Sequence, residues 1–535
     1  MKNYLAILVL FLTLGSSLLG DEHFVRVSTI IIRGNLDEPE GLSLNKGEVH
    51  FVGLEIPGTT ISRRRFKSDL ESRFLNRDLV MDDLTDLKCQ ILLYYKKEGC
   101  PLVEVMIPPQ EVTEEVLHVI VSESHLGEVH IKGNNWSSAR FTERTLDLKK
   151  GDRIRTDQIL VDLSYLNRNP FKRTDVIFSA GKEAGTTDID IITKERRPYR
   201  VYAGVDNRGN EAIGNYRQYE GFNCGHFLGM DHLFSYQLTT SLPIGRMHAH
   251  AFYYSIPLPK TMSFDFYGGY SKIHSKTFSR FFRNSGENVQ LSPRYRFPLF
   301  VALEGSHDFA LGFDYKRSNN NLLFSEQPIT AKMATLTQLV LTYQYQGLFG
   351  WEWGTFDAEF YLSPIRMFTH QNKGDYSLLS PKAIPQYWYF ILGWQKTFAL
   401  PHCMNIDIRL KGQYANQNLL PSEQLGLGGF DTVRGYRERE VNGELGILAN
   451  LEFRSPYFSL MKFRSLCQSN TSCDCSDTIK DALRFLAFID YGFAERKHFV
   501  KGEKNAQYLI GVGPGLQYVI DPYLNLTLYW GFRLQ

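Results

Sequence analysis

The stretch MNIDIRLKGQY, Met404 to Tyr414, alternates residue by residue. Ile406, Ile408 and Leu410 fall on one side of an extended chain and Asn405, Asp407, Arg409 and Lys411 on the other, because successive side chains of a strand point to opposite faces. The same period of two returns in SFDFYGGY, with Phe264 and Phe266 against Asp265, and in FDAEFYL, with Phe356, Ala358 and Phe360 against Asp357 and Glu359. It returns again in LNLTLYWGFRL, where Leu524, Leu526, Leu528, Trp530 and Phe532 oppose Asn525, Thr527, Tyr529 and Arg533. A soluble sandwich also alternates, so strand length decides. The segments run about ten residues, the length a tilted membrane strand needs.

The rest of the chain agrees with that reading. It has 535 residues with 37 Phe, 29 Tyr and 43 Gly, yet its mean hydropathy is negative, which suits many strands with one wet face. A net charge of +2 supplies no field to gather nucleic acid. Residues 1–20 have one lysine, an apolar run from Tyr4 to Leu14 and small residues before Asp21. That is a signal-peptide layout, too short for a bilayer core, and it predicts export. With no other run of 18 uninterrupted apolar residues, a membrane-embedded mature protein has to be a β-barrel.

Seven cysteines are an odd number for an exported chain, and Cys467, Cys473 and Cys475 cluster in CQSNTSCDC. No histidine is near and the spacing is poor for a metal, so the cluster reads as a local disulfide in an oxidising compartment. Cys89 and Cys100 are predicted at or near opposite ends of one helix, about 16 Å apart, which keeps them from pairing. GVGPG, Gly511 to Gly515, imitates a dinucleotide loop, but no helix follows and Pro514 stands where phosphate-binding amides belong, so it reads as a glycine-rich strand. There is no Walker lysine, no G-x-S-x-G and no histidine-rich metal pattern. The expectation is a non-enzyme with no cofactor and no metal.

From Glu48 to Ser124 the order is strand, helix, helix, strand, strand. Phe66, Leu70 and Phe74 make one helical stripe and Leu84, Leu87, Ile91 and Tyr95 a second, which Gly99 can close. The run YYKKEGCPLVEV then leads to IPPQ, Ile107 to Gln110. Tyr95, Gly99, Pro108, Pro109 and Gln110 together resemble the signature of the first POTRA domain of hemolysin secretion/activation (two-partner secretion, ShlB-type) transporters. A second unit follows. GEVHIKGN opens a strand, Ser138 to Leu146 and Thr156 to Leu166 read as helices, the latter with Ile159, Leu163 and Leu166 on one face, and Asn167 to Pro198 supplies two strands. Its Asn169-Pro170-Phe171, and its Gly185 and Thr186 followed by Asp188, are similar to the end of the second POTRA domain of the same family. The edge strands of such domains could pair with an extended client chain.

Beyond Tyr199 fifteen alternating segments can be counted, among them 286–297, 307–316 and 335–346. A single-chain bacterial barrel has an even number of strands, and the family resembled has sixteen. Either one strand is unread or the chain stops one short; the tail at Leu534-Gln535, without a terminal aromatic residue, favours the second. GGFDTVRGYRERE, residues 428–440, falls in the connection 416–443 between the eleventh and twelfth segments, and FIDYG, with Phe488, Asp490 and Gly492, lies in the thirteenth. Val433-Arg434-Gly435-Tyr436 with F-x-D-x-G resembles the paired motifs of the outer-membrane polypeptide-transport superfamily, in which a long loop folds back into the barrel. That resemblance implies that Arg434 meets Asp490 on the inner wall, a guanidinium fork on a carboxylate, with Gly435 allowing the turn and Tyr436 packing its ring. Arg437 and Arg439 match no motif and read as solvated.

The expected architecture is therefore a signal peptide (1–20), an extension (21–47), α+β POTRA domains (48–124 and 125–197) and a sixteen-stranded antiparallel transmembrane β-barrel (198–535) whose last strand is in question. The extension does not read as the plug helix many transporters thread through the pore. The resemblance implies a translocator in the outer membrane of a Gram-negative-type bacterium, its POTRA domains in the periplasm. It would export a large client with an N-terminal secretion domain, touch outer-membrane lipids, and rely on the barrel-assembly machinery for its own insertion. The competing readings are a barrel-assembly insertase of the same superfamily and, remotely, a barrel hydrolase.

Overall fold

A computed structural model describes residues 25–34, 45–110, 112, 115–146, 148–210, 213–276, 282–302, 305–324, 327–349, 352–364, 366–460, 464–465, 481–499, 502 and 505–534. The signal segment 1–20 and Cys467, Cys473 and Cys475 lie outside the described residues. The chain divides into two compact units, one made of residues up to 133 with 142–166 and 174–194, the other of 134–141, 167–173 and 195 onward.

The first unit contains β1 (Val25–Val27), β2 (Thr29–Arg33), β3 (Val49–Val52), α1 (Thr60–Phe74), β4 (Arg77–Leu79), α2 (Met81–Lys97), β5 (Val103–Met106) and β6 (Val116–Glu123). Strands β3, β2, β6 and β5 form one sheet in that order, β2 running parallel to both neighbours. Phe66, Leu70, Phe74, Leu87, Ile91 and Tyr95, the two helical stripes, bury against Ile30, Ile32, Val119 and Val121 of the sheet. Thr59 caps α1 by accepting the Ser62 N–H at 3.2 Å. Gly99, at φ +81°, closes the end of α2. The boundary predicted at Glu48 is too late, because β2 is an internal strand of this sheet. Its Ile30, Ile31 and Ile32 are all buried, and a parallel strand covered on both faces reads as a continuous apolar run with no alternation to give it away.

A second sheet follows, of β7 (His125–Lys132), β9 (Thr186–Glu195) and β8 (Lys172–Ala180) in that order, β7 parallel to β9, with α3 (Ala139–Leu146) and α4 (Thr156–Leu166) in the same stretch of chain. The buried face of α4 is broader than predicted: Val161, Asp162 and Tyr165 join Ile159 and Leu166, and Leu163 is only half-buried. Cys89 lies in the middle of α2, not at its end; it and Cys100 are free thiols, whereas Cys403 is disulfide-bonded.

The second unit is one antiparallel sheet. In chain order its strands are β10 (Tyr199–Asp206), β11 (Tyr216–Phe227), β12 (His232–Leu242), β13 (Met247–Pro257), β14 (Ser263–Lys276), β15 (Phe282–Ala302), β16 (Gly305–Phe324), β17 (Gln327–Phe349), β18 (Glu352–Ser363), β19 (Tyr387–Leu400) and β20 (Met404–Ala415). A small separate hairpin, β21 (Leu425–Leu427) with β22 (Val441–Gly443), precedes β23 (Leu445–Arg454), and the short pair β24 (Phe458–Ser459) and β25 (Arg464–Ser465) precedes β26 (Asp481–Glu495) and β27 (Ala506–Ile520). The last strand is interrupted: β28 (Leu524–Tyr529) and β29 (Phe532–Leu534) both pair with β27 in one continuous register. The break faces Pro514, which has no N–H to give to the ladder, although Trp530 N still donates to its carbonyl at 3.0 Å. With β28 and β29 taken as one, fifteen long strands follow one another among the described residues. A short helix, α5 (Lys373–Leu379), sits between β18 and β19.

Period-two alternation places the side chains as read. In β20 Asp407 is buried, accepting from Thr397 Oγ1 and paired with Arg454, while Leu410 is exposed. Gly511 to Gly515 lie inside β27. Strands β15, β16 and β17 are 21, 20 and 23 residues long, about twice a membrane span and far beyond the segments predicted. The run Asn319-Asn320-Asn321 has no period-two alternation to announce that length.

Candidate functional site

The connection from β20 to β23 leaves the barrel rim and folds back inside it. Its tip sets Arg434 against β26, whose alternation directs Phe488, Asp490 and Gly492 inward while Ile489 and Tyr491 stay 55 % and 41 % exposed on the other face. Arg434 Nε and Nη2 donate to the two oxygens of Asp490, each at 2.8 Å, and the Arg434 backbone N–H adds a third bond at 3.0 Å. This is the bidentate pairing expected of the two motifs. Asp490 is fully buried and five positions below the end of β26, about 16 Å down at 3.3 Å per residue. Asn450 of β23 completes it, donating to Asp490 Oδ1 at 2.8 Å and to the Thr432 carbonyl at 2.6 Å.

Several partners of Arg434 carry no signal in either motif. Glu452 of β23 accepts from Nη1 at 2.5 Å, and its carboxylate is shared with Arg454 Nε (2.9 Å) and the Tyr529 hydroxyl (2.8 Å). The guanidinium plane lies over the Phe488 ring at 3.7 Å and near Tyr529 at 4.5 Å, a cation–π sandwich in a desolvated place. So the phenylalanine of F-x-D-x-G covers the cation and the aspartate binds it. The glycine makes room: a Cβ on Gly492 would lie 2.8 Å from Val433 Cγ2. Two further glycines cradle the tip, since a Cβ on Gly511 would run into the Arg434 carbonyl oxygen and one on Gly531 into the Gly435 nitrogen.

Val433 and Tyr436 pack with Leu425, Leu427, Val441, Leu448, Ala494 and Leu509. The Tyr436 hydroxyl donates to the Ile510 carbonyl at 3.2 Å, and Arg533 stands over its ring and donates to the Gly435 carbonyl at 3.0 Å. Gly435 has φ +95°, a conformation that favours glycine. Arg439 is exposed, as expected of a solvated side chain, but it is also tied down. Its backbone is left-handed at φ +54°, and its guanidinium donates to the carbonyls of Pro421 (2.7 Å) and Gln424 (3.1 Å). Arg437 is exposed, its N–H bonded to Glu440.

The amino-terminal motifs have local structural roles. Gln110 imitates a strand backbone where two prolines precede it: its side chain donates to the His118 carbonyl and accepts the His118 N–H, both at 2.8 Å, while Pro108 and Pro109 form the turn. Tyr95 is buried. The Gly99 carbonyl accepts the Thr156 N–H at 3.0 Å, joining the end of α2 to the start of α4. Gly185 turns the chain at φ +77°, Thr186 Oγ1 donates to the Glu183 carbonyl at 2.7 Å, and Asp188 accepts the Glu128 N–H at 2.7 Å where the β7–β9 register slips. Asn169 holds the Phe171 N–H at 3.0 Å and donates to the Gly225 carbonyl at 2.8 Å, the Pro170 carbonyl accepts from Arg196, and Phe171 fills the space a Gly225 side chain would take. Beside it, Glu195 accepts the N–H groups of Asn135, Trp136 and Ser137 at 2.8, 2.6 and 2.9 Å.

Comparison with known proteins agrees with this geometry. The family described as haemolysin secretion/activation protein ShlB/FhaC/HecB matches residues 185–517. The heme/hemopexin transporter protein HuxB of Haemophilus influenzae (strain 86-028NP) is 22 % identical over 475 residues, covering 83 % of this chain and 76 % of HuxB. The outer membrane transporter CdiB of Dickeya dadantii (strain 3937) is 23 % identical over 398 residues, covering 72 % and 69 %. Among solved structures, CdiB from Escherichia coli superposes with a TM-score of 0.77 at 17 % identity over 97 % of this chain and 88 % of that one. CdiB from Acinetobacter baumannii gives 0.67 at 15 % over 99 % and 94 %. The two structures speak for the fold, and the family match spans more than half of the chain. The protein thus belongs to the haemolysin secretion/activation family ShlB/FhaC/HecB, as an outer-membrane two-partner secretion transporter that exports a partner protein from the periplasm to the cell surface.

Proposed function

We propose that this transporter receives its client as an extended chain on the sheet edges of its two amino-terminal domains and passes it through the lumen when the tip of the loop 416–443 leaves the wall. Arg434 is the latch. The observation that carries this reading is the enclosure of the Arg434 guanidinium, which takes its partners from two wall strands and its ring cover from two aromatic residues. A loop needing only solubility has no use for a buried, multiply bonded cation. A cavity of about 1210 Å³ flanks the tip, lined among others by Asp206, Arg217 and Gln237 and, on the last strand, by Thr527 and Leu528.

On the capture side, β5 and β8 are edge strands, and β8 exposes Ile177 and Phe178; main-chain pairing there would bind a client without demanding its sequence. The client is a large secreted protein with an N-terminal secretion domain, and no chemical step is involved: the chain is a conduit, driven by capture and folding outside. Its outward apolar face meets outer-membrane lipid, and the barrel-assembly machinery inserts it. The test is a pull-down of the tagged full-length protein from solubilised outer membranes, compared with a form lacking residues 25–196. Recovery of one large exported protein, lost on deletion, supports the proposal. Recovery of many unrelated barrel precursors would make the protein an insertase instead.

A further inference from the structure

The returning loop carries a second buried acid outside both motifs. The Glu423 side chain is 1 % exposed and is bound by three strands of the wall. Lys316 Nζ of β16 donates to both its oxygens at 3.0 Å, the Tyr389 hydroxyl of β19 to Oε2 at 2.7 Å, and Gln338 Nε2 of β17 to the same oxygen at 3.1 Å. A fourth strand, β20, holds the Glu423 carbonyl through Gln413 Nε2 at 3.0 Å. Around it Leu419 and Leu420 pack against Tyr376, Tyr387 and Tyr389. Another buried carboxylate, Glu444, accepts from Leu419 N (3.3 Å), Gln424 Nε2 (2.7 Å) and Lys497 N (3.1 Å). Asn418 donates to the carbonyls of Pro381 (2.9 Å) and His498 (2.8 Å).

The wall contacts of Glu423, Glu444 and Asn418 end where the β21–β22 ladder ends, at the pair Leu427 and Val441; across that line Arg439 reaches back to the Pro421 and Gln424 carbonyls, and Leu425, Leu427 and Val441 share the packing of Val433 and Tyr436. Gly428 and Gly429 follow, at φ +101° and +103°. Across the neck the Arg439 N–H donates to the Gly428 carbonyl at 3.2 Å. Two consecutive glycines in the left-handed region can absorb a backbone rotation at little steric cost.

We infer that the loop is built in two separately anchored parts: a stem, residues 418–427 and 441–444, locked to the wall by Glu423, and a tip, residues 428–440, locked by Arg434 and hinged at Gly428 and Gly429. Glu423 is a positioning residue. It does not touch the latch; it fixes the point about which the tip turns, so that release of Arg434 moves the tip and leaves the stem in the wall. This rests on the reading of Arg434 as the latch, and the test separates the two.

The experiment is hydrogen exchange on the full-length protein in detergent micelles, following backbone amides of 418–427 and of 428–440, with heat-modifiable gel migration to certify folded barrels. Arg434→Ala is expected to accelerate exchange in the tip alone. Glu423→Gln and Lys316→Met are expected to accelerate the stem by about a hundredfold, the shift that follows from breaking a buried pair, and Tyr389→Phe by less. In planar bilayers Arg434→Ala should raise the frequency of opening at unchanged open-state conductance, whereas Lys316→Met should change that conductance, because the stem itself shifts. Lys316→Met leaves the loop sequence intact and stands in should Glu423→Gln fail to fold. A stem that loosens with the tip in Arg434→Ala, or that stays protected in Lys316→Met, overturns the two-part loop. A tip that stays protected in Arg434→Ala sinks the latch reading instead, and the stem variants still judge Glu423.

Discussion

Arg434→Ala removes three side-chain hydrogen bonds, two to Asp490 and one to Glu452. It leaves the fully buried Asp490 with the Asn450 amide and one backbone N–H as its donors. Breaking a buried ion pair from one side costs about 3–5 kcal/mol, and the lost cation–π contact adds about 1 kcal/mol. The variant can recover part of that cost by letting the tip leave, since water then reaches both carboxylates. A net shift of about 3 kcal/mol in the docking equilibrium raises the undocked fraction by roughly two powers of ten. The tip carries its own reporters, because trypsin cuts after Arg437 and Arg439. Cleavage in a region that opens and recloses quickly tracks the open population, so cutting at those two sites should accelerate about a hundredfold while the barrel stays folded; client secretion should fall, because transport needs the tip to redock as well as to leave, and a tip without its latch opens without being set again. Asp490→Ala should do the same. The double variant should cost less than the sum of the singles, because neither charge is then left buried without its partner. Unchanged cleavage and normal secretion in either single variant, or a strictly additive double, would refute the latch.

Gly511→Val places a side chain where the Arg434 carbonyl now sits; it is expected to expel the tip with Arg434 and Asp490 both intact, giving the same trypsin cuts. Gln110→Leu removes both bonds to the His118 backbone and should destabilise the first domain by about 1–3 kcal/mol, read as faster amide exchange in β6 and no change at the tip. Burial works against ionisation of Glu195, but the Ser137 hydroxyl and the N–H groups of Trp136, Ser137 and Asn135 outweigh it and hold its carboxyl below the usual carboxylate range. A carboxylate with a lowered folded-state pKa stabilises above its unfolded value and loses that contribution as pH falls through the folded one. Protection of the Asn135–Ser137 amides should therefore fade on acidification below about pH 4.5, and Glu195→Gln should remove that dependence.

What could be read from the sequence depended on whether the physics was local. Strand alternation is a two-residue property, so the barrel strands announced themselves in Met404 to Tyr414 and in the tail, and F-x-D-x-G showed its three inward positions for the same reason. The alternation failed where its cause is absent. Ile30, Ile31 and Ile32 are covered on both faces, and the outer parts of β15, β16 and β17 extend past the length a bilayer requires.

The two anchors of the loop show the same limit inside the site. Arg434 was legible because a fixed pair of short motifs accompanies it, but Glu452 and Tyr529, which complete its cage, are single residues in ordinary strands. Glu423 was invisible because its partners Lys316, Gln338 and Tyr389 come from three strands scattered over the chain, and each is a commonplace inward-facing polar residue until the barrel closes them around one carboxylate. A buried acid costs several kcal/mol of desolvation unless its partners are in place, so the stem can lock only after β16, β17 and β19 are assembled. The tip needs β23 and β26, which follow it in the chain. Topology then orders the two charges: strands that precede the loop hold Glu423 and strands that follow it hold Arg434, while Lys497 and His498 also reach the stem at Glu444 and Asn418, and Arg409 and Arg208 reach the tip at Asp431.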